Sequence, residues 1–167
     1  MTMAGLLGLV TLQRLGELTL ARRNTNRLRA QGGYEVSAGH YPLIVALHGA
    51  WLAGLWYFVL YDASGAVDGR AGWIWLGVFV ILQALRVWVI ATLGSRWTTR
   101  IIVLPGAPLV ASGPYRFVSH PNYCVVAAEI LVLPLVFGLL WYAVVFTMLN
   151  AVALWIRIRA EAAALAR

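Results

Sequence analysis

Long apolar runs alternate along the chain with short basic or polar breaks. A helix that crosses a bilayer needs about 20 mostly apolar residues. Five stretches read as such spans: 3–21, 41–61, 72–93, 123–140 and 141–156. The first is interrupted by Arg14 and Glu17, which share one helical face, and it runs into Arg22, Arg23, Arg27 and Arg29. The second opens with Pro42 in its first turn, where the missing amide hydrogen costs nothing. A polar stretch over 62–70, with Gly65 and Gly69 as breakers, leads to the third, which carries Gln83 and Arg86. Pro134 and Gly138 predict a kink or tight turn between the last two. Each of those two is short for a perpendicular crossing, so together they read as a hairpin that barely spans. The pattern predicts an all-α, polytopic integral membrane protein of about five transmembrane helices, folded as a single domain over 1–167.

Composition sharpens this reading. Only 11% of residues are charged, against about 25% in soluble domains, too few to cover the outside of a soluble globule. Disorder is excluded by the apolar content. All 13 basic residues are arginine, and the formal net charge is +7. Such a charge can mark a nucleic-acid binder, but only when the basic residues cluster on a solvated face. Here they sit between apolar runs, which is the arginine excess of cytoplasmic loops. With the N-terminus outside, the inner segments hold Arg22, Arg23, Arg27, Arg29, Arg96, Arg100, Arg116, Arg157, Arg159 and Arg167, and the outer loop holds Arg70. That bias sets the N-terminus outside and the C-terminus in the cytoplasm. Tryptophans near the predicted helix ends read as an interfacial belt. The single cysteine, Cys124, allows no internal disulfide and reads as a small packing residue. No basic n-region or cleavage site marks a signal peptide. The expected setting is a bacterial inner membrane, with the lipid bilayer and a lipophilic small molecule as partners and no nucleic acid.

One segment departs from the pattern. The loop 95–122 reads SRWTTRIIVLPGAPLVASGPYRFVSHPN, and a loop of this length in a compact protein is usually functional. Within it, 101–104 and 109–110 read as two short strands or interfacial segments around Pro105-Gly106. Gly113-Pro114-Tyr115-Arg116, followed by Ser119-His120-Pro121-Asn122-Tyr123, resembles the GPYR…RHPxY signature of the isoprenylcysteine carboxyl methyltransferase family. Arg157-Ile158-Arg159-Ala160-Glu161-Ala162 is similar to that family's R-x-x-x-E-E motif. Arg14-Leu15-Gly16-Glu17-Leu18, Arg22-Arg23-Asn24 and Gly39-His40-Tyr41-Pro42 resemble a bacterial branch that includes O-methyltransferases of alkylpyrone-like polyketides. Two positions differ: Ser119 stands where arginine is usual, and Ala162 where a second acid is usual.

The resemblance implies S-adenosylmethionine as cofactor, bound by the cytoplasmic loop and the inner ends of the last two helices. The acceptor it implies is lipophilic, an alkylpyrone-like or prenylcysteine-like compound methylated on a hydroxyl or carboxylate oxygen. Carried over residue by residue, the cofactor set is Gly113, Pro114, Tyr115, Arg116, His120, Pro121, Tyr123, Arg157 and Glu161. Arg157 and Glu161 are the expected catalytic pair. No metal is implied. The residue types suit the work. Arginine holds a carboxylate with two parallel bonds, glutamate accepts from an ammonium or ribose hydroxyls, and tyrosine faces stabilise a cation. Arg157 and Glu161, four apart, share a helix face and are placed to form an ion pair.

Each residue also has a plainer reading: His120 as a helix cap, the tyrosines as interface anchors, Arg116 facing lipid phosphates. Within the spans, Arg14, Glu17, Glu129 and Asn150 are expensive to bury and need partners; Glu129 is expected to reach an arginine such as Arg86. Glu129, Asn150 and His40 are candidate acceptor contacts, His40 as a general base. His40 and His48, eight apart, make no metal motif. Two other classes compete. The HPNY segment is also similar to that of sterol and steroid reductases, which implies NADPH, and a small non-enzymatic membrane subunit would use neither cofactor. The sequence leaves oligomeric state open.

Overall fold

A computed structural model describes residues 2–36, 39, 41–61 and 69–165. His40 lies outside the described residues, as do Arg167 and 62–68 of the polar stretch. The described residues are mainly helical. In chain order they form α1 (Met3–Ala30), strand β1 (Tyr34–Glu35), α2 (Tyr41–Tyr61), α3 (Gly69–Leu93), strand β2 (Ile102–Val103), α4 (Pro121–Val136) and α5 (Leu140–Leu165).

Three of these helices are long and apolar enough to cross a membrane: Tyr41–Tyr61, Gly69–Arg96 and Leu140–Ala163. α4 is apolar but has 16 residues, about 24 Å at 1.5 Å per residue. α1 is longer than the expected 3–21, because the run Arg22–Arg29 continues the helix instead of ending it. The short-hairpin expectation for the last two spans is corrected as well. α4 stops at Val136, and α5 has 26 residues, so α5 alone is long enough. Pro134 and Gly138 form the expected tight turn. Gly138 adopts φ 72°, a left-handed conformation that glycine takes without a Cβ clash.

The helices run alternately up and down. The end of α1, the start of α2, the end of α3, the start of α4 and the end of α5 share one end of the bundle, here termed the loop end. Tyr41 at the start of α2 meets Thr99 of the long loop (Oη to Oγ1, 3.2 Å). Asn24 of α1 donates to the carbonyls of Gly94 and Trp97, at 3.1 and 2.8 Å. Near the far end the core gathers Leu7, Val10, Trp51, Leu55, Leu76, Phe79, Leu133 and Val136. Outward faces are apolar too: Ile74, Ile81 and Met148 are each 62% exposed. Such all-round apolarity suits a lipid surround.

The long loop differs in part from the expectation. β2 covers only the centre of 101–104, and its antiparallel partner is β1, with Tyr34 opposite Val103 and Glu35 opposite Ile102. Residues 109–110 form no strand. The pair is bolted by Glu35, which accepts from Arg29 at 2.5 Å and from Arg100 at 2.6 Å, while Arg100 lies over the Tyr41 ring at 4.3 Å. Two tryptophans leave the expected interfacial belt: Trp51 and Trp97 are buried, because helix packing and the Asn24 contact draw them inward. Cys124 is exposed, not packed inside, since α4 turns that face away from α3 and α5.

Candidate functional site

At the loop end, Gly113–Arg116 forms a single 3₁₀ turn with Pro114 buried. Gly113 has φ 54°, and a Cβ there would meet Thr92 Oγ1 of α3 at 2.5 Å. Glycine therefore lets the turn close against the end of α3. Pro121 begins α4, and His120 occupies the N-cap position without making a side-chain cap bond. The capping alternative for His120 is thus corrected. Its ring stacks on Tyr123, with centroids 5.1 Å apart and planes 13° apart.

Tyr123 is the hub. Its hydroxyl donates to Glu161 Oε2 at 2.5 Å and accepts from Arg157 Nε at 2.8 Å. The direct Arg157–Glu161 ion pair expected from their spacing is replaced by this phenol bridge, because α4 inserts Tyr123 between them. His120 Nδ1 lies 3.8 Å from Glu161 Oε2. Tyr115 lies near enough to Glu161 to feel its charge; burial first, and that carboxylate second, push its phenol up to about 12. The structure therefore brings together Tyr115, His120, Tyr123, Arg157 and Glu161 from three separate segments. Arg116 is not drawn in: it is exposed, with its guanidinium 6.0 Å from the Phe117 ring.

This cluster is only partly saturated. Arg157 spends Nε on Tyr123, and among the described residues its two terminal nitrogens make no hydrogen bond. Asn122 Oδ1 is buried without a partner. Buried polar groups are nearly always bonded, and this acceptor is on the residue just before Tyr123. Free guanidinium donors, a carboxylate, an orphan amide oxygen and a stacked aromatic pair fit the carboxylate, ammonium, hydroxyls and ring of S-adenosylmethionine.

A second polar cluster lies inside the bundle. Glu129, only 2% exposed, accepts from Gln83 at 2.8 Å, Arg86 at 2.9 Å and Arg14 at 2.8 Å. Glu17 accepts from Arg86 at 2.6 and 2.5 Å and from Arg14 at 3.0 Å. Gln13 links Glu17 to Gln83, at 3.0 and 2.8 Å. The expected Arg86–Glu129 pair is present, inside a larger network that clamps α1, α3 and α4. Asn150 is different: it is 1% exposed, and neither of its amide atoms has a partner. Sequence reasoning gave no role to Asn122, which fills the variable position of the HPxY motif, and passed over the Glu35–Arg100 bolt, whose partners share no periodic or motif signal.

The sequence profile of the isoprenylcysteine carboxyl methyltransferase family matches residues 75–167, which takes in most of α3, the whole loop, α4 and α5. The chain is also similar to the uncharacterized protein YpbQ of Bacillus subtilis (strain 168), with 37% identity over 165 residues, covering 96% of this chain and 94% of that relative. No solved structure matches the chain. The profile spans more than half of the sequence and contains every residue of the loop-end cluster, and the chain belongs to the isoprenylcysteine carboxyl methyltransferase family, a family of membrane methyltransferases.

Proposed function

We propose that this protein is an S-adenosylmethionine-dependent O-methyltransferase of the membrane. Its acceptor is a lipophilic hydroxyl or carboxylate compound, alkylpyrone-like or prenylcysteine-like. The observation that carries the reading is the Tyr123 bridge between Arg157 and Glu161, which leaves guanidinium donors and a carboxylate edge unfilled. Family membership supports the reaction class.

When bound, S-adenosylmethionine supplies an electrophilic methyl group on a sulfonium. The chain's own residues bind and orient. Arg157 holds the carboxylate through its terminal nitrogens. Glu161 receives the ammonium or ribose hydroxyls. The stacked pair of His120 and Tyr123 would offer an aromatic face to the cofactor and favours nearby positive charge. Gly113, Pro114 and Pro121 set the backbone that carries Tyr115 and His120, and Arg116 faces the headgroup region. Much of the rate of a methyl transfer comes from in-line positioning, so these residues serve catalysis by placement. Glu129, saturated by three donors, holds the helices, and Asn150 is assigned to the acceptor.

We place the whole chain in one membrane domain of five spans, N-terminus outside, with the cofactor site on the cytoplasmic face of a bacterial inner membrane. The arginine bias of the loops supports this orientation. Calorimetric titration of the purified protein with S-adenosylmethionine and with NADPH tests the reading. Saturable binding of S-adenosylmethionine alone is the expected result. Binding of NADPH alone would favour a reductase, and binding of neither would leave a non-enzymatic subunit.

A further inference from the structure

Beyond cofactor binding, the bundle holds a histidine in an unusual setting. His48 lies on α2, three residues before Trp51 and seven before Leu55, both buried. It therefore belongs to the inward face of that helix. Its Nδ1 is 2.8 Å from the carbonyl oxygen of Ile44. A carbonyl only accepts, so Nδ1 carries the hydrogen. In the neutral ring this fixes the tautomer with the lone pair on Nε2. Among the described residues, Nε2 makes no hydrogen bond.

The surroundings of this lone pair are specific. The bundle into which α2 packs, against α1 and α5, carries Arg14 on α1, Arg86 on α3 and Arg157 on α5. The first two are already tied to Glu17 and Glu129, from α1 and α4. Arg157 belongs to the loop-end cluster. His48 is thus on a helix that packs against both α1, part of the closed ionic network, and α5, part of the proposed cofactor site. The α2–α5 contact gives the level. Tyr142 Oη donates to the carbonyl oxygen of Trp51 at 2.7 Å. From that clasp, His48 is about one turn toward the loop end on α2, and Asn150 about two turns on α5. Asn150 shares the helix face of Arg157 and Glu161, and its amide donor and acceptor are both unpartnered. A free imidazole lone pair and an unfilled amide thus lie on inward faces of packed helices, somewhat more than one turn apart in depth, with Asn150 about two turns to the membrane side of Arg157.

We infer that His48 is the general base of the transfer: Nε2 takes the proton from an uncharged, weakly acidic hydroxyl of the acceptor while that oxygen is methylated. This rests on the methyltransferase reading above. The balance is simple. The acceptor's O–H pair becomes available as the proton moves to Nε2, and an oxygen–carbon bond forms to the methyl of a sulfonium donor. The sulfur–carbon bond breaks, leaving its pair on a neutral thioether. The imidazolium releases its proton after the methyl ether departs. A carboxylate, ionised at neutral pH, needs no such base, so the acceptor class narrows to phenols and enols bearing an apolar chain. Asn150 positions a neighbouring oxygen of that head group.

The test uses the full chain in detergent micelles. Binding of 4-nonylphenol and of its methyl ether, 4-nonylanisole, is followed by tryptophan fluorescence, and S-adenosylmethionine binding is measured by calorimetry on the same samples. The wild type is expected to bind the phenol about 3–10-fold more tightly than the ether, because Nε2 accepts the phenol's hydrogen bond. His48→Leu should bind both alike, with cofactor affinity unchanged within about twofold. His48→Gln, which keeps an acceptor but no basic nitrogen, should recover the phenol preference without recovering turnover. Turnover in both variants should fall by about 10²–10⁴-fold on 4-nonylphenol, and by less on ring-nitrated nonylphenols that ionise unaided. Normal cofactor binding with no phenol preference in the wild type would overturn the role of His48 alone. So would an undiminished preference and turnover in both variants. A wild type that binds no S-adenosylmethionine would overturn the methyltransferase reading, and this inference with it.

Discussion

The buried network of α1, α3 and α4 and the cluster at the loop end use the same residue types, arginine and glutamate, to different ends. In the network every carboxylate oxygen has a donor: Glu17 and Glu129 together take bonds from Gln13, Arg14, Gln83 and Arg86. In the loop-end cluster the phenol of Tyr123 separates Arg157 from Glu161, and guanidinium donors remain open. A closed network binds helices to one another, because any lost partner strands a charge in an apolar medium. An open one keeps hydrogen-bonding capacity for a visitor. Polarity inside a membrane protein is thus read by its saturation, not by its presence.

Breaking the closed network should give the largest effect. Glu129→Ala leaves Glu17 as the single carboxylate facing both Arg86 and Arg14, and removing one partner of a buried pair costs about 3–5 kcal/mol. At roughly 2–4 °C per kcal/mol for a chain of this size, the melting temperature in detergent should drop by about 6–20 °C. A melting curve within 2 °C of the wild type would show that the network is not a clamp. Arg86→Met is expected to behave alike.

The open cluster should respond in binding and hardly in stability. Glu161→Ala and Arg157→Ala are each expected to weaken S-adenosylmethionine by about 10–100-fold, the loss of one charge-assisted contact of about 1.5–3 kcal/mol. Both proteins should remain monodisperse and melt within a few degrees of the wild type. Calorimetry showing unchanged affinity in both variants would remove the cofactor role. Gly113→Ala should fall between the two behaviours. A side chain at φ 54° and a Cβ against Thr92 cost about 1–3 kcal/mol of backbone strain, and the displaced turn should weaken cofactor binding by several-fold. Retained affinity in this variant would detach the turn from the site.

The smallest effect is a pH dependence. The Tyr115 phenol is held above its usual range, at about 12. Its folded-state value exceeds the unfolded one near 10, so its contribution to stability is complete below pH 10 and is lost as pH rises toward 12. Tyr115→Phe should therefore flatten the fall in melting temperature between pH 10 and pH 12. An unaltered profile would mean that Tyr115 is not shielded beside Glu161.

Much of this architecture was legible in the chain. The span over 41–61 coincides with α2, since an unbroken apolar run between polar flanks has one helical solution in lipid. The Arg86–Glu129 pairing followed from the cost of an unpaired intramembrane charge. The ends of α1 and α5 were not legible, because arginine-rich sequence continues a helix as readily as it ends one. The β1–β2 pair was hidden too. Two-residue strands carry no periodicity, and their partners are far apart in sequence.

At the site, the family motifs picked out His120, Tyr123, Arg157 and Glu161. Helical spacing then suggested a direct Arg157–Glu161 pair, and Tyr123 lies between them instead. His48 looked like an isolated histidine in an apolar run, and only the packing of α2 against α5 set it on the same side of the bundle as the unpartnered Asn150. The sequence by itself determined the apolar spans, the basic bias of the loops and the inventory of chemical groups, because these follow from local composition and helical period. Tertiary structure alone decided which polar groups are saturated and which stay open. That depends on distances between helices whose residues lie up to 115 positions apart, as Arg14 and Glu129 do, and no local pattern encodes such a distance.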